Sequence, residues 1–262
     1  MIVREMPDGR LLCINQTSHA LMAAEFCHHW GNRDFACPQP YAAVMLGIAQ
    51  HDNGWYEWEQ RPHLRGDGYP MDFLHGPPGE EKIALWQRGV DRALAQHPYA
   101  GLLTARHAVR LYQTFFHYLP AAEQEAVTGF IDRQEKLTAA LRTQWQEDAV
   151  YGPALREERL SANTHLVKFG DSASLRAITA PDTAQAIEHC PVDGAKAYAD
   201  IVMTVAGDTI AFDPWPFAVE SFSVSVHGRV LAQTNFADDA AYHSALAAAP
   251  MLRLTWQAAR AA

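Results

Sequence analysis

A mainly α-helical domain carrying a C-terminal β-hairpin and helix appendage is the fold class this sequence predicts. Three observations point to it. Apolar residues recur at helical spacing through most of the first 180 positions. Near Pro181 the character changes, and Val, Ile, Phe and Thr crowd into 199–212 and 217–233. An Ala-rich run over about 238–260 then closes the chain. The expected division is a helical domain over 1–180 and an appendage over 181–262.

Taken in order, residues 2–14 read as two short strands around a Pro-Asp-Gly turn. Thr17 or Ser18 caps a helix to about Trp30, with His19, Met22, Ala23, Phe26 and Trp30 on its inner face. A loop with Gly31, Pro38 and Pro40 leads to a helix over 41–52. There Val44, Ile48, His51 and Trp55 share a stripe, with Met45 and Asp52 beside it. The Gly- and Pro-rich stretch 60–80 reads as a long loop, a feature more often functional than not. Helices follow over about 80–95, 99–118, 122–147 and 154–178. Leu103, His107 and Leu111 align on the second of these. Thr164, Val167, Asp171, Leu175 and Ile178 align on the last. In the appendage, Gly207-Asp208 and His227-Gly228 read as hairpin turns, joined by the stiff connector Asp213-Pro-Trp-Pro-Phe217.

Bulk properties narrow the function. The 262 residues are 48% apolar and 19% charged, enough for a sizeable core. A net charge of −9 argues against a broad nucleic-acid footprint. Four cysteines without a CxxC pair indicate neither a zinc ribbon nor a disulfide scaffold. No stretch approaches the ~20 apolar residues of a membrane span, and the first residues lack an apolar leader core. The expected compartment is the cytoplasm. Thirteen histidines stand against 21 lysines and arginines, and neutral imidazole is both a metal ligand and a proton carrier.

Position singles out a few of them. His19 lies on an apolar helix face. His51 and Asp52 are adjacent at a helix end. Asp171 lies on the apolar face of a distant helix. A carboxylate facing a core costs several kcal/mol unless paired or metal-bound. Each residue alone has a structural explanation: a satisfied core histidine, a chance dipeptide, a capped turn or an arginine partner. Together, one divalent cation bound by all of them satisfies every group at once. Cys27, His28 and His29 with Cys37 do not form such a site, because consecutive helical residues point about 100° apart.

The stretches Gln16-Thr-Ser-His19-Ala20, His51-Asp-Asn-Gly-Trp55, Pro70-Met-Asp-Phe73, His97 to Leu103 with His107, Phe169 to Leu175 and Pro214-Trp-Pro-Phe217 span nearly the whole chain. In them the chain resembles a family of uncharacterised bacterial proteins catalogued as a domain of unknown function. The order H…HD…D on helices is also similar, more distantly, to the HD-domain superfamily of metal-dependent phosphohydrolases. That resemblance implies an HD-like helical bundle and the ligands His19, His51, Asp52 and Asp171, with Asp52 able to bridge two metals. His107 matches a second-metal histidine, and His75 is the one further candidate.

The implied activity is hydrolysis of a small phosphate ester or nucleotide by a metal-activated water, with Fe, Mn, Zn or Ni as one or two ions. Asp52, His107 and Arg106 are the expected catalytic groups, His107 as a ligand or a general acid. Trp55, Trp58 and Arg61 are the expected substrate contacts, with Arg65 and Lys82 as further cations. Two alternatives stay open. One is a di-iron oxygenase of the HD type. The other is a degenerate scaffold that binds without catalysis and pairs His19 directly with Asp52 or Asp171. The expected partner is a small molecule, with no nucleic acid or membrane, and the appendage is free to mediate a homodimer.

Overall fold

Asp8 and Gly9, the latter at φ 79°, turn the chain between β1 (Ile2–Glu5) and β2 (Leu11–Ile14), which pair antiparallel. The computed structural model describes residues 1–260, so the last two positions of the expected appendage lie outside the described residues. The helices are α1 (Gln16–His28), α2 (Tyr41–Gln50), the short α3 (Tyr56–Glu59), α4 (Gly79–Gln96), α5 (Pro98–Phe115), α6 (Ala121–Trp145), the short α7 (Tyr151–Ala154), α8 (Glu157–Thr179) and α9 (Asp239–Ala248). The remaining strands are β3 (Ala184–Pro191), β4 (Tyr198–Ala206), β5 (Thr209–Asp213), β6 (Ser221–Leu231) and β7 (Met251–Ala259).

The strands correct the expected fold class. About 50% of the chain is helical and 21% is strand, in one curled seven-stranded mixed sheet, so the fold is α/β and not a mainly α bundle with a hairpin appendage. The sheet order is β1-β2-β6-β7-β5-β4-β3, and among the described residues only the β5–β7 pair is parallel. The N-terminal hairpin therefore joins the C-terminal strands, with Leu11 opposite Leu231 and Leu12 opposite Val230.

Two local misreadings explain the difference. The Ala-rich run does not continue as helix to 260. Pro250 cannot continue it, and beyond it Leu252, Leu254, Trp256 and Ala258 alternate inward, which is strand periodicity. His227-Gly228 is not a turn either, because β6 runs straight through it. Gly228 lies so close to β2 that a Cβ there would sit 2.7 Å from Ile14 and 2.9 Å from the Cys13 carbonyl. Gly207 does turn the chain, at φ 59° between β4 and β5.

The main core lies between sheet and helices. Phe26 of α1 meets Phe212 of β5 and Phe222 of β6 with ring centroids 5.8 and 6.2 Å apart. Phe169 of α8 meets Phe212 at 5.7 Å. Burying several aromatic side chains in this way dominates the local energetics. The Pro-Trp-Pro-Phe connector is wedged here, with Phe217 bridging to Trp30 and the Gly31 N–H donating to the Pro216 carbonyl.

Small residues bring the helices close. A Cβ on Gly170 of α8 would lie 2.9 Å from the Ala23 carbonyl and from the Cys27 sulfur on α1. That contact seats the start of the Asp171 turn against α1. A Cβ on Gly54 would collide with the Leu85 carbonyl, so the turn after His51 and Asp52 rests on α4. The 60–80 segment folds back across the N-terminus, where the Phe73 N–H donates to the Met1 carbonyl.

Candidate metal centre

His19, His51, Asp52, His107 and Asp171 come together where α1, α2, α5 and α8 meet. His19 and His51 are fully buried, and Asp52 and His107 nearly so. Helix α2 ends just before His51. The Ile48 carbonyl accepts from the His51 backbone N–H at 3.3 Å and also faces the His51 ring, whose Nδ1 lies 2.7 Å from it. A carbonyl only accepts, so Nδ1 carries a proton, and whenever the ring is neutral its Nε2 is bare. That Nε2 has no hydrogen-bond partner among the described residues.

His19 is fixed in the same way through Ser174. The Ser174 hydroxyl donates to the Asp171 carbonyl at 3.0 Å, which commits its one proton. His19 Nδ1, 2.9 Å from the same hydroxyl oxygen, must then donate. Its bare Nε2 faces Asp52 Oδ2 at 2.7 Å and Asp171 Oδ1 at 4.0 Å. His51 Nε2 lies 3.6 Å from each of these two oxygens.

Two bare imidazole nitrogens and two carboxylates thus face one another with no donor among them. Such a set requires a cation. Protonation is one answer. In the chain alone, burial opposes charge on His51, but Asp52 and Asp171 outweigh it and lift its pKa to about 9. Burial likewise opposes the charge of both carboxylates. His51 and His19 still hold Asp52 below its usual range, and His51, with His107 and His19, holds Asp171 well below it. A metal ion is the other answer. Ligand bonds of about 2.0–2.2 Å span donor separations up to roughly 4 Å, and the four His–Asp separations above run from 2.7 to 4.0 Å. Donor atoms of His19, His51 and Asp171 lie within 4.8 Å of one another and form a compact candidate metal triad. Asp52 adjoins it through His19.

His107 stands beside this group, with Nε2 3.7 Å from Asp171 Oδ2 and its ring 5.0 Å from that of His51. Burial pushes its pKa down to about 4, which leaves the ring neutral near pH 7 in the chain alone. His75 is not beside it. Its Nδ1 is held 2.6 Å from Asp72, on the rim.

The centre opens into a cavity of about 480 Å³, within the usual size of small-molecule sites. Asp52, His107 and Asp171 line its inner end, with Gln16, Trp55 and Lys82 nearby. Lys82 Nζ lies 5.9 Å over the Trp55 ring and donates to the Phe73 carbonyl at 3.4 Å.

Other expected site residues lie elsewhere. Arg106 follows the helix round to the outside and pairs with Glu157 at 2.5 Å, since neighbours on a helix diverge by about 100°. Arg61 is exposed and Arg65 pairs with Asp67. Trp58 packs against Trp55 in a side core rather than lining the cavity. Sequence reasoning missed Ser174, Gln16, Trp86 and Tyr112. Ser174 and Gln16 carried a signal, lying three residues after Asp171 and three before His19 and so on the same helix faces.

Fold and centre together define an α/β protein with a buried His/Asp cluster suited to a divalent cation. The chain belongs to the family described as Protein of unknown function (DUF3891), which matches residues 1–233. The resemblance to an uncharacterised family is thereby borne out, while nothing in these comparisons relates the chain to HD-domain proteins. No curated protein and no solved structure shows a significant match. No helix among the described residues is long and apolar enough to cross a membrane.

Proposed function

We propose that this protein is a metal-dependent hydrolase that holds a divalent transition ion between His19, His51, Asp52 and Asp171 and acts on a small phosphate ester. One observation carries the reading. Two imidazoles with their Nδ1 protons committed elsewhere turn bare Nε2 atoms toward two buried carboxylates, at the inner end of a cavity. The order His, His-Asp, Asp supports a distant kinship with HD phosphohydrolases as part of the same proposal. Four free cysteines, three of them buried, suit a cytoplasmic setting.

Imidazole with carboxylate suits Fe, Mn, Zn or Ni. Such an ion, when bound, supplies Lewis acidity and lowers the pKa of water toward neutrality. The chain's own residues do the rest. Lys82 is placed to hold a phosphate oxygen against the centre. Trp55 and Trp86 wall the inner cavity and exclude bulk water. His107, neutral at rest and 3.7 Å from Asp171, is placed to accept a proton from the attacking water and return it to the leaving oxygen.

A second reading rests on the 2.7 Å separation of His19 Nε2 and Asp52 Oδ2, short enough to share a proton. The cluster would then close as ion pairs in a non-catalytic binding module. Elemental analysis of untagged protein decides between the two. The hydrolase reading expects about one transition ion per chain, lost in His51→Ala, and metal-dependent release of phosphate from small monoesters. Metal-free protein that stays so after incubation with Zn²⁺, Mn²⁺ and Fe²⁺ overturns it.

A further inference from the structure

The cavity beyond the centre has a chemistry of its own. Its apolar walls include Trp86, Leu111, Phe115, Val127 and Leu175, contributed by α4, α5, α6 and α8, and Leu119 from the connection between α5 and α6. The apolar surface does not stop at the mouth. Phe115 is 56% exposed and Leu74, which also lines the cavity, is 71% exposed, so a greasy rim continues the greasy wall. Large apolar side chains left in water beside an apolar cavity mark a surface that an apolar ligand covers.

The charges are few. Asp52, Asp171 and Glu123 line the cavity, and Lys82 is the one lysine or arginine among its lining residues. A row of phosphates needs several cationic or backbone N–H partners. Three carboxylates and one ammonium offer no such cradle, so a nucleoside di- or triphosphate has no place here.

Resting on the hydrolase reading above, we infer that the substrate is a phosphate monoester of an apolar alcohol. Its single phosphate sits between the centre and Lys82, and its alkyl or aryl body lies along the Leu111–Phe115 wall toward the Leu74 rim. Hydrolysis breaks the phosphorus–oxygen bond: water gives its hydroxyl to phosphorus and a proton to the leaving alcohol. The apolar body takes no part in that step. It supplies binding energy remote from the reacting phosphate.

The test uses alkylphosphonates, whose carbon–phosphorus bond is not hydrolysed. Methyl-, butyl- and octylphosphonate are titrated into the full chain and followed by fluorescence of Trp55 and Trp86, with metal content measured on the same samples. Burying a methylene should tighten binding about 3-fold, so octyl should exceed butyl by roughly 100-fold. Lys82→Gln should weaken all three by about 10-fold and leave the dependence on chain length intact. Leu111→Asn should flatten that dependence and spare methylphosphonate.

Metal-loaded protein that binds the three phosphonates equally, or binds adenosine monophosphate more tightly than octylphosphonate, overturns the inference and leaves the hydrolase reading standing. Metal-free protein with a steep chain-length dependence does the reverse: the apolar-tail site holds and the hydrolase reading falls.

Discussion

Ser174→Ala removes one hydroxyl and tests the logic of the centre. Ser174 is fully buried, so no solvent replaces the lost oxygen. In the native chain that oxygen accepts from His19 Nδ1 at 2.9 Å and fixes the ring with Nε2 bare. Without it the Nδ1 proton is stranded, at a cost of about 1–3 kcal/mol if the ring keeps its tautomer. The ring escapes that cost by moving its proton to Nε2, where Asp52 Oδ2 accepts it at 2.7 Å. That move occupies the nitrogen an ion requires. Loss of a group that orients a ligand typically lowers metal affinity 10- to 100-fold, or about 1.4–2.7 kcal/mol. Competition for Zn²⁺ against a chelating dye measures the affinity, and thermal melts with and without metal measure the stability. A weaker metal affinity with a smaller metal-induced rise in Tm is expected. Wild-type affinity combined with a lowered metal-free melt refutes the reasoning, because His19 would then be a structural residue and not a ligand.

Three further outcomes are expected. Arg106→Ala should leave metal content and phosphate release unchanged and shift stability by less than about 1 kcal/mol, since Arg106 makes a surface pair with Glu157 and Arg142 also holds that carboxylate. Activity assays and urea melts check this. Gly170→Ala should destabilise by about 1–3 kcal/mol and weaken metal binding, because its methyl group pushes α8 from α1 and withdraws Asp171 from His19. Denaturant unfolding with the same dye competition reads both. Stability should also fall on acidification below the ordinary histidine pKa through His165. Burial, with Arg110 close by, pushes its pKa down to about 4. The folded state then binds fewer protons than the unfolded one, so this contribution is full above about pH 6.5 and is lost as the pH falls toward 4. His165→Gln should flatten that part of the pH–stability curve in urea melts.

The helices were largely legible because each has one apolar face and clear punctuation. His97 before Pro98 shows how. Its ring accepts from the Tyr99 N–H at 3.1 Å, and proline fills the first helical turn, so sequence alone places the start of α5. The sheet was less legible because its evidence is non-local. β3 reads Ala-Gln-Ala-Ile-Glu-His-Cys-Pro, with a bulge between Ile187 and Cys190 that breaks the alternation of burial. β7 was hidden in an alanine-rich run whose helix stops before Pro250.

By itself the sequence determined the helical segments, the family resemblance and the candidate donors His19, His51, Asp52, His107 and Asp171. These are readable because a polar group at a core-facing position needs a partner wherever the chain places it. Only the tertiary structure decided that the strands form one sheet joined to the N-terminal hairpin, that Arg106 faces Glu157, and that Ser174 and Ile48 set the tautomers of the two histidines. Those outcomes depend on which distant surfaces meet. The small residues Gly170, Gly54 and Gly228 control those meetings through backbone contacts that hydrophobic periodicity does not record.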